Sequence, residues 1–283
     1  MTNVLLFGAT GHVGSYIAAE LKRQQYHVTA VVRNEEKARQ LGVAADRFII
    51  KKVFSPDALQ GICEGQEVVV SALGKSVSPN DKSTPSFFEV DYAVNAGIIK
   101  EAVSSKVSKF VYVSALGSER YSHLAYFNAH HEVEKLLMAS GVDYSIIQPP
   151  AVFSAFLDVI VMAKKGRLAT LGKGDRLTNP IYEGDLAKVC VEAIHQHHAV
   201  IPAGGKEILS RRQINEIIQQ EAASHKKLRT IPVGLLQSGL PFLKMFSRNL
   251  YDKFAFFTEV MQHDTVAPQI GATPLKSYIR SKV

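Results

Sequence analysis

Short apolar runs rich in Val, Ile and Phe alternate with longer amphipathic stretches along the first two-thirds of the chain. Val4–Phe7, His27–Val32, Arg47–Ile50, Glu67–Ser71, Lys109–Ser114 and Tyr144–Gln148 have the length and composition of strands. Between them, apolar positions recur at helical spacing over about 12–24, 35–41, 56–62, 85–105 and 124–140, and again over 184–197. Nearly continuous apolar strands alternating with helices predict a parallel sheet covered on both faces. Two such halves give an α/β architecture with a doubly wound parallel sheet of the Rossmann type.

The rhythm breaks after Pro149–Pro150. Ala151–Lys164 has a helical pattern, and "GRLATLGKGDRLTNPI" reads as a strand followed by a glycine-bearing loop. A short strand is predicted at Glu207–Leu209, then a helix capped by Ser210, a strand at Leu228–Val233 and apolar helices to about Gln262. The division expected is a dinucleotide-binding domain of residues 1–150 and about 180–200. A smaller, discontinuous C-terminal lobe takes about 151–179 and 201–283. The segment "LLQSGLPFLKMFSRNLYDKFAFFTEVM" is markedly apolar and aromatic. It suits the lining of a substrate pocket, and the second reading is contact with a protein partner or a membrane surface.

At 283 residues the chain can bury a large core. No apolar run approaches the ~18 residues of a membrane span, so an integral membrane protein is not expected. The first strand starts too early to leave room for a secretory signal. The two cysteines, Cys63 and Cys190, sit in apolar surroundings and read as buried thiols, which suits a cytoplasmic protein. The net charge of +7 favours an anionic ligand. Its Lys and Arg are scattered without interleaved aromatics, so nucleic acid is not the expected partner. No zinc or hydrolase motif appears, and "HQHH" at 195–198 reads as exposed polar residues, so no metal is expected.

Gly8, Gly11 and Gly14 form G-x-x-G-x-x-G between a strand and a helix. Gly8 permits the turn, Gly11 lets the backbone approach a pyrophosphate, and Gly14 lets the helix sit close to the sheet. The helix N-terminus, with Thr10, His12 and Val13, then faces the phosphates. At the end of the second strand an NAD site usually carries an acid, but here "VVRNEE" places Arg33. A guanidinium suits a 2′-phosphate, so the expected cofactor is NADP (NADPH); the alternative is that Arg33 is a solvated surface charge.

These motifs resemble the atypical short-chain dehydrogenases/reductases, in particular the NmrA-like and NAD(P)H-binding branch. "VLLFGATGHVG" resembles the family's glycine motif and "VTAVVRN" its NADP-type second strand. "VVVSALG" is similar to the strand whose end, Ala72, Leu73 and Gly74, passes the cofactor's ribose. "NAGIIKEAVSSKVSKFVYVSALG" resembles the stretch that places a structural Asn, here Asn95, and an active-site Ser, here Ser114. "GVDYSIIQPP" resembles the strand and proline turn after the catalytic helix, and "IYEGDLAKV" a later Asp-containing helix start. Val53 and Pro149 complete the cofactor contacts that the resemblance implies. It implies an NADP-dependent oxidoreductase acting on a carbonyl or activated double bond, or a nucleotide-holding regulator or assembly factor.

Reductases of this superfamily use Tyr-x-x-x-Lys on one helix face, with the lysine drawing down the tyrosine pKa. "YFNAHHEVEK" places Tyr126 as the acid, Ser114 as the anchor of the substrate oxygen, and His130 where the lysine belongs. His130 is expected to orient or relay, because a neutral imidazole supports a tyrosinate poorly; the alternative is that Tyr126 and His130 belong to an ordinary amphipathic helix. Lys135, nine residues on, turns to the opposite face at about 100° per residue. Lys51 and Lys52 replace the usual Gly-Asp near the adenine, and Gln148 stands where an Arg is common.

Overall fold

The computed structural model describes residues 1–54, 56–223 and 227–283. The first half runs β1 (Asn3–Phe7), α1 (His12–Arg23), β2 (His27–Val32), α2 (Glu35–Gln40) and β3 (Arg47–Ile50). The second half runs β4 (Val68–Ser71), α3 (Val94–Ser104), β5 (Lys109–Val113), α4 (Ala125–Ala139) and β6 (Asp143–Gln148). Then follow α5 (Leu157–Lys164), β7 (Ala169–Leu171), β8 (Leu177–Thr178), α6 (Glu183–Glu192) and β9 (Ala199–Pro202). The chain closes with β10 (Leu209–Ser210), α7 (Arg211–Glu221), β11 (Arg229–Ile231), α8 (Val233–Phe246), α9 (Arg248–Val260) and α10 (Leu275–Lys282).

Among the described residues the main sheet has seven parallel strands in the order β3-β2-β1-β4-β5-β6-β9. The chain winds outward from β1 to β3 and then restarts at β4 on the other side. A crevice therefore opens above the C-terminal ends of β1 and β4, where such sheets bind nucleotides. Alternate residues of each strand feed opposite faces. Val4 and Leu6 pack with Ile17 and Leu21 of α1 and Leu186 of α6, while Leu5 and Phe7 pack with Ile98 of α3 and Val133 of α4. A third cluster joins Phe153, Ile160, Ile214, Ile218 and Ile279 of the C-terminal half.

Several elements differ from the sequence expectation. The helix expected over 85–105 is divided: Phe88–Ala93 forms a wider π-helical turn before α3. There the Asn95 Nδ2 donates back to the Asp91 carbonyl at 2.6 Å, and Asp91 itself reaches the end of β4. The helix expected over 56–62 shrinks to a 3₁₀ turn at Pro56–Leu59, and Gly61 at φ 71° turns the chain away. The helix expected over 184–197 ends at Glu192 and tightens into a 3₁₀ turn at Ala193–His195. The seventh strand, β9, is absent from the sequence reading. It is four residues long and ends in Pro202, which a sheet tolerates at an edge. Ser210 caps α7 as expected, in a reciprocal capping box with Gln213.

Candidate functional site

The glycines leave no room for side chains where β1 meets α1. Gly8 has φ 80°, and a Cβ there would stand 2.5 Å from the Ala72 carbonyl oxygen. A Cβ on Gly14 would stand 2.1 Å from the Gly8 oxygen, so the helix presses directly on the turn. The Gly11 N–H donates to the Gly8 carbonyl at 2.9 Å and closes the turn. Gly11 caps α1 without a side-chain bond, and the first turn of the helix carries no acid. Thr10, Gly11 and His12 are exposed, so the free N–H groups and the positive end of the helix dipole face solvent in the crevice. Val13, half-buried, seats the turn on the core. This cradle fits a pyrophosphate.

Arg33 follows the end of β2 and Lys51 the end of β3, brought side by side by the Val32–Ile50 register. The Lys51 N–H donates to the Val32 carbonyl at 3.0 Å. Arg33, Lys51 and Lys52 are all exposed, and among the described residues none of them is in an ion pair. Asn34 accepts from the Lys37 N–H at 2.9 Å, which fixes the start of α2 and so the exit of Arg33 from the sheet. Three free cations at one edge of the crevice suit a ribose phosphate.

Ala72 and Leu73 are half-buried beside the cradle, and the Ala72 N–H donates to the Phe7 carbonyl at 3.1 Å. Val53 is buried in the core cluster that Leu73 joins, so it supports the crevice from below. Gly74 is exposed, and a Cβ there would stand 2.9 Å from Oδ1 of Asp91. Asp91 is fully buried; Oδ1 accepts from the Lys75 N–H at 2.6 Å and Oδ2 has no partner among the described residues. Burial pushes its carboxyl up to about 8, despite the Lys75 N–H and charge. Asn95 is buried and accepts from the Ser71 hydroxyl at 2.6 Å, which is the structural task the resemblance gave it. Pro149 is buried, and its carbonyl accepts from the Leu116 N–H at 3.0 Å above β5.

Ser114 departs from the expected role. Its hydroxyl donates to Oε1 of Glu134 at 2.5 Å, and both groups are buried. A serine hydroxyl has one hydrogen, so in this arrangement Ser114 offers none to a substrate oxygen. Glu134 also accepts from Ser118 at 2.7 Å and from Nε2 of Gln148 at 2.8 Å. Gln148, in the position where an Arg is common, therefore serves Glu134. The sequence reading missed Glu134, although Tyr126, His130 and Glu134 at i, i+4 and i+8 mark one helix face.

Tyr126 packs edge-to-face against Phe87 at 5.5 Å, Phe256 at 4.8 Å and His130 at 4.7 Å between centroids. It is half-buried, and its hydroxyl makes no hydrogen bond among the described residues. Burial and the Asp91 carboxyl raise its pKa well above the ordinary phenol value. His130 is buried, which pushes it down to about 4. Its Nδ1 lies 2.7 Å from the Tyr112 hydroxyl, and burial raises the pKa of Tyr112 as well. A neutral phenol donates and a neutral imidazole accepts, so the remaining proton of His130 is on Nε2. His130 therefore carries no charge to support a tyrosinate. Lys135 is exposed and paired with Glu132 at 3.0 Å, on the other side of α4 as expected.

Other predicted residues have structural partners. His195 is 3.0 Å from the Tyr26 hydroxyl and His197 is 2.7 Å from Asp143, so the "HQHH" run does more than fill surface. Asp185 accepts from the N–H groups of Ala272 and Thr273 and ties down the chain before α10. Cys63 and Cys190 are both buried free thiols, as expected.

A nucleotide cradle with a helix N-terminus, on the crevice edge of a doubly wound sheet, defines a dinucleotide-binding protein. A family model described as NAD(P)H-binding matches residues 8–197, and the chain belongs to that family. It is 24% identical over 266 residues to the photosystem II assembly factor Ycf39 of Cyanophora paradoxa, covering 92% of this chain and 81% of the relative. It is 24% identical over 263 residues to the chloroplastic divinyl chlorophyllide a 8-vinyl-reductase of Cucumis sativus, covering 86% of this chain and 62% of the relative. A solved structure of the Citrobacter sp. triphenylmethane reductase complexed with NADP(H) superposes with a TM-score of 0.75 at 17% identity, covering 99% of this chain and 100% of that one. At that identity the likeness shows the shared fold.

Proposed function

We propose that the chain is an NADPH-dependent reductase of conjugated acceptors, with Tyr126 as the proton donor. The bound dinucleotide supplies a hydride. The cradle Gly8–Gly14 holds the pyrophosphate, and Arg33 with Lys51 and Lys52 holds the 2′-phosphate. Ala72, Leu73 and Gly74 form the wall along which the ribose passes. Phe87, Phe256 and Tyr126 give the substrate side flat, apolar faces.

The observation that carries this reading is the free hydroxyl of Tyr126 beside a neutral His130. With His130 neutral and no lysine at that place on α4, Tyr126 lacks the positive partner that would meet the concentrated charge of a simple ketone's alkoxide as hydride arrives. That partner is needed least where hydride arrival leaves an anion spread over a conjugated system. The acceptors favoured are therefore quinones and electron-poor double bonds rather than simple ketones. Tyr126 gives its proton to that anion and regains one from solvent through its exposed edge. The vinyl-reductase relative points to the same chemistry by its name. NADPH consumption against matched panels of quinones, conjugated alkenes and simple ketones is the test. Turnover with the first two and none with the third is expected; a preference for simple ketones contradicts the reading.

A second reading is an NADP(H)-holding regulator or assembly factor. It is favoured by the engagement of Ser114 and His130 with buried partners and by the Ycf39 relative. Tight NADPH binding with no turnover of any acceptor is its signature.

A further inference from the structure

α8 carries an apolar face that the other described residues leave uncovered. None of its 14 residues is buried. Leu235, Phe242, Met245 and Phe246 are 67%, 66%, 80% and 85% exposed. At about 100° per residue, Leu235, Phe242 and Phe246 fall within about 40° of one another and make one continuous stripe. The opposite side, with Val233, Leu236, Leu240 and Leu243, is half-buried.

Along the sequence around α8 the charge is of one sign. From Ala222 to Tyr251 the sequence has Lys226, Lys227, Arg229, Lys244 and Arg248 and no aspartate or glutamate. Arg229 lies in β11 just before α8, and Lys173 follows β7, its parallel partner. Lys244 stands near the other end, 5.5 Å from the Tyr251 ring. The helix is therefore flanked by cations at both ends, with its apolar stripe between them. Of these five, Arg248 is already paired with Asp252 at 3.1 Å.

We infer that α8 is a docking helix for an anionic lipid surface, lying in the plane of the headgroups. Phe and Leu on one side with Lys and Arg at the flanks is the pattern of an interfacial helix. Fourteen residues span about 21 Å, short of the roughly 30 Å hydrocarbon core, so α8 lies on a bilayer and does not cross it. Among the described residues no helix is long and apolar enough to cross a membrane. A second copy is the poorer occupant, because a two-fold contact through this face would bring the same cations against one another. The inference does not depend on the reductase reading, since the cradle lies on the main sheet.

Flotation of the full chain with phosphatidylcholine vesicles, with and without phosphatidylglycerol, tests it. Binding is expected only to the phosphatidylglycerol vesicles and is expected to weaken as salt rises. Each cation replaced by neutral Gln at Lys227, Arg229 or Lys244 should lower binding about fivefold. Leu235→Ser/Phe242→Ser/Phe246→Ser should abolish it while NADPH titrates as in the parent. Equal flotation with neutral vesicles, retained binding in the serine variant, or self-association through this face without flotation overturns the inference. Binding of a protein through α8 without vesicle binding overturns it as well.

Discussion

The hydroxyl of Ser114 donates to Glu134 at 2.5 Å, inside a buried cluster closed by Ser118 and Gln148. This relationship separates Ser114 from Tyr126, the two hydroxyls expected to meet the substrate oxygen together. The serine hydrogen belongs to the protein interior, while the hydroxyl free to donate is that of Tyr126.

Ser114→Ala should therefore cost more stability than activity. Glu134 would lose one of three donors, a destabilisation of about 1–3 kcal/mol for a buried carboxylate. Thermal unfolding and kcat/KM measured on the same preparation separate the effects. A large fall in kcat/KM with an unchanged Tm would return Ser114 to the role of oxygen anchor.

Asp91 contributes to the pH dependence of folding. Its carboxyl is held near 8 in the fold, against the ordinary carboxyl value of 3.8. The unfolded chain releases this proton first, so the stability tied to it is present below about 4 and is lost as pH rises toward 8. The titratable groups facing it are Lys75 from the loop after β4, Tyr112 from β5 and Tyr126 from α4. Asp91→Asn keeps an acceptor for the Lys75 N–H and removes the titration. Its Tm should exceed that of the parent at pH 8 by about 5 °C or more, and the gap should close by pH 4. A constant gap across that window would show that the carboxyl is ionised throughout.

Arg33→Ala should weaken NADPH by about 10-fold or more and leave NADH nearly unchanged, because only the 2′-phosphate needs the guanidinium. Fluorescence titration of both dinucleotides reads the difference. Equal weakening of the two would make Arg33 a general surface charge.

The sheet was legible because its strands are apolar on both faces and its helices keep their period. The cradle was legible because glycines at 8, 11 and 14 answer a steric demand, visible in the 2.1 Å that a Gly14 Cβ would face. Elsewhere tertiary ties overrode local pattern. Asp91, in a widened helical turn, reaches Lys75 in the loop after β4, and Asn95, at the start of α3, reaches Ser71 at the end of β4, contacts that no periodicity announces. β9 is four residues closing on a proline, too short to declare itself without β6 beside it. The tyrosine motif lacks its lysine in the sequence itself, where His130 stands four residues after Tyr126. What Ser114 does instead depended on Glu134, whose helical spacing from Tyr126 was available but whose partner on β5's far end was not.

The most direct test of the account is the reduction of a quinone by NADPH, compared between the parent and Tyr126→Phe. Phenylalanine keeps the ring packing against Phe87 and Phe256 and removes only the donor. The account predicts unchanged NADPH affinity and a fall in kcat of about 10²–10⁴, the usual worth of a positioned acid. A variant that turns over as fast as the parent would contradict it.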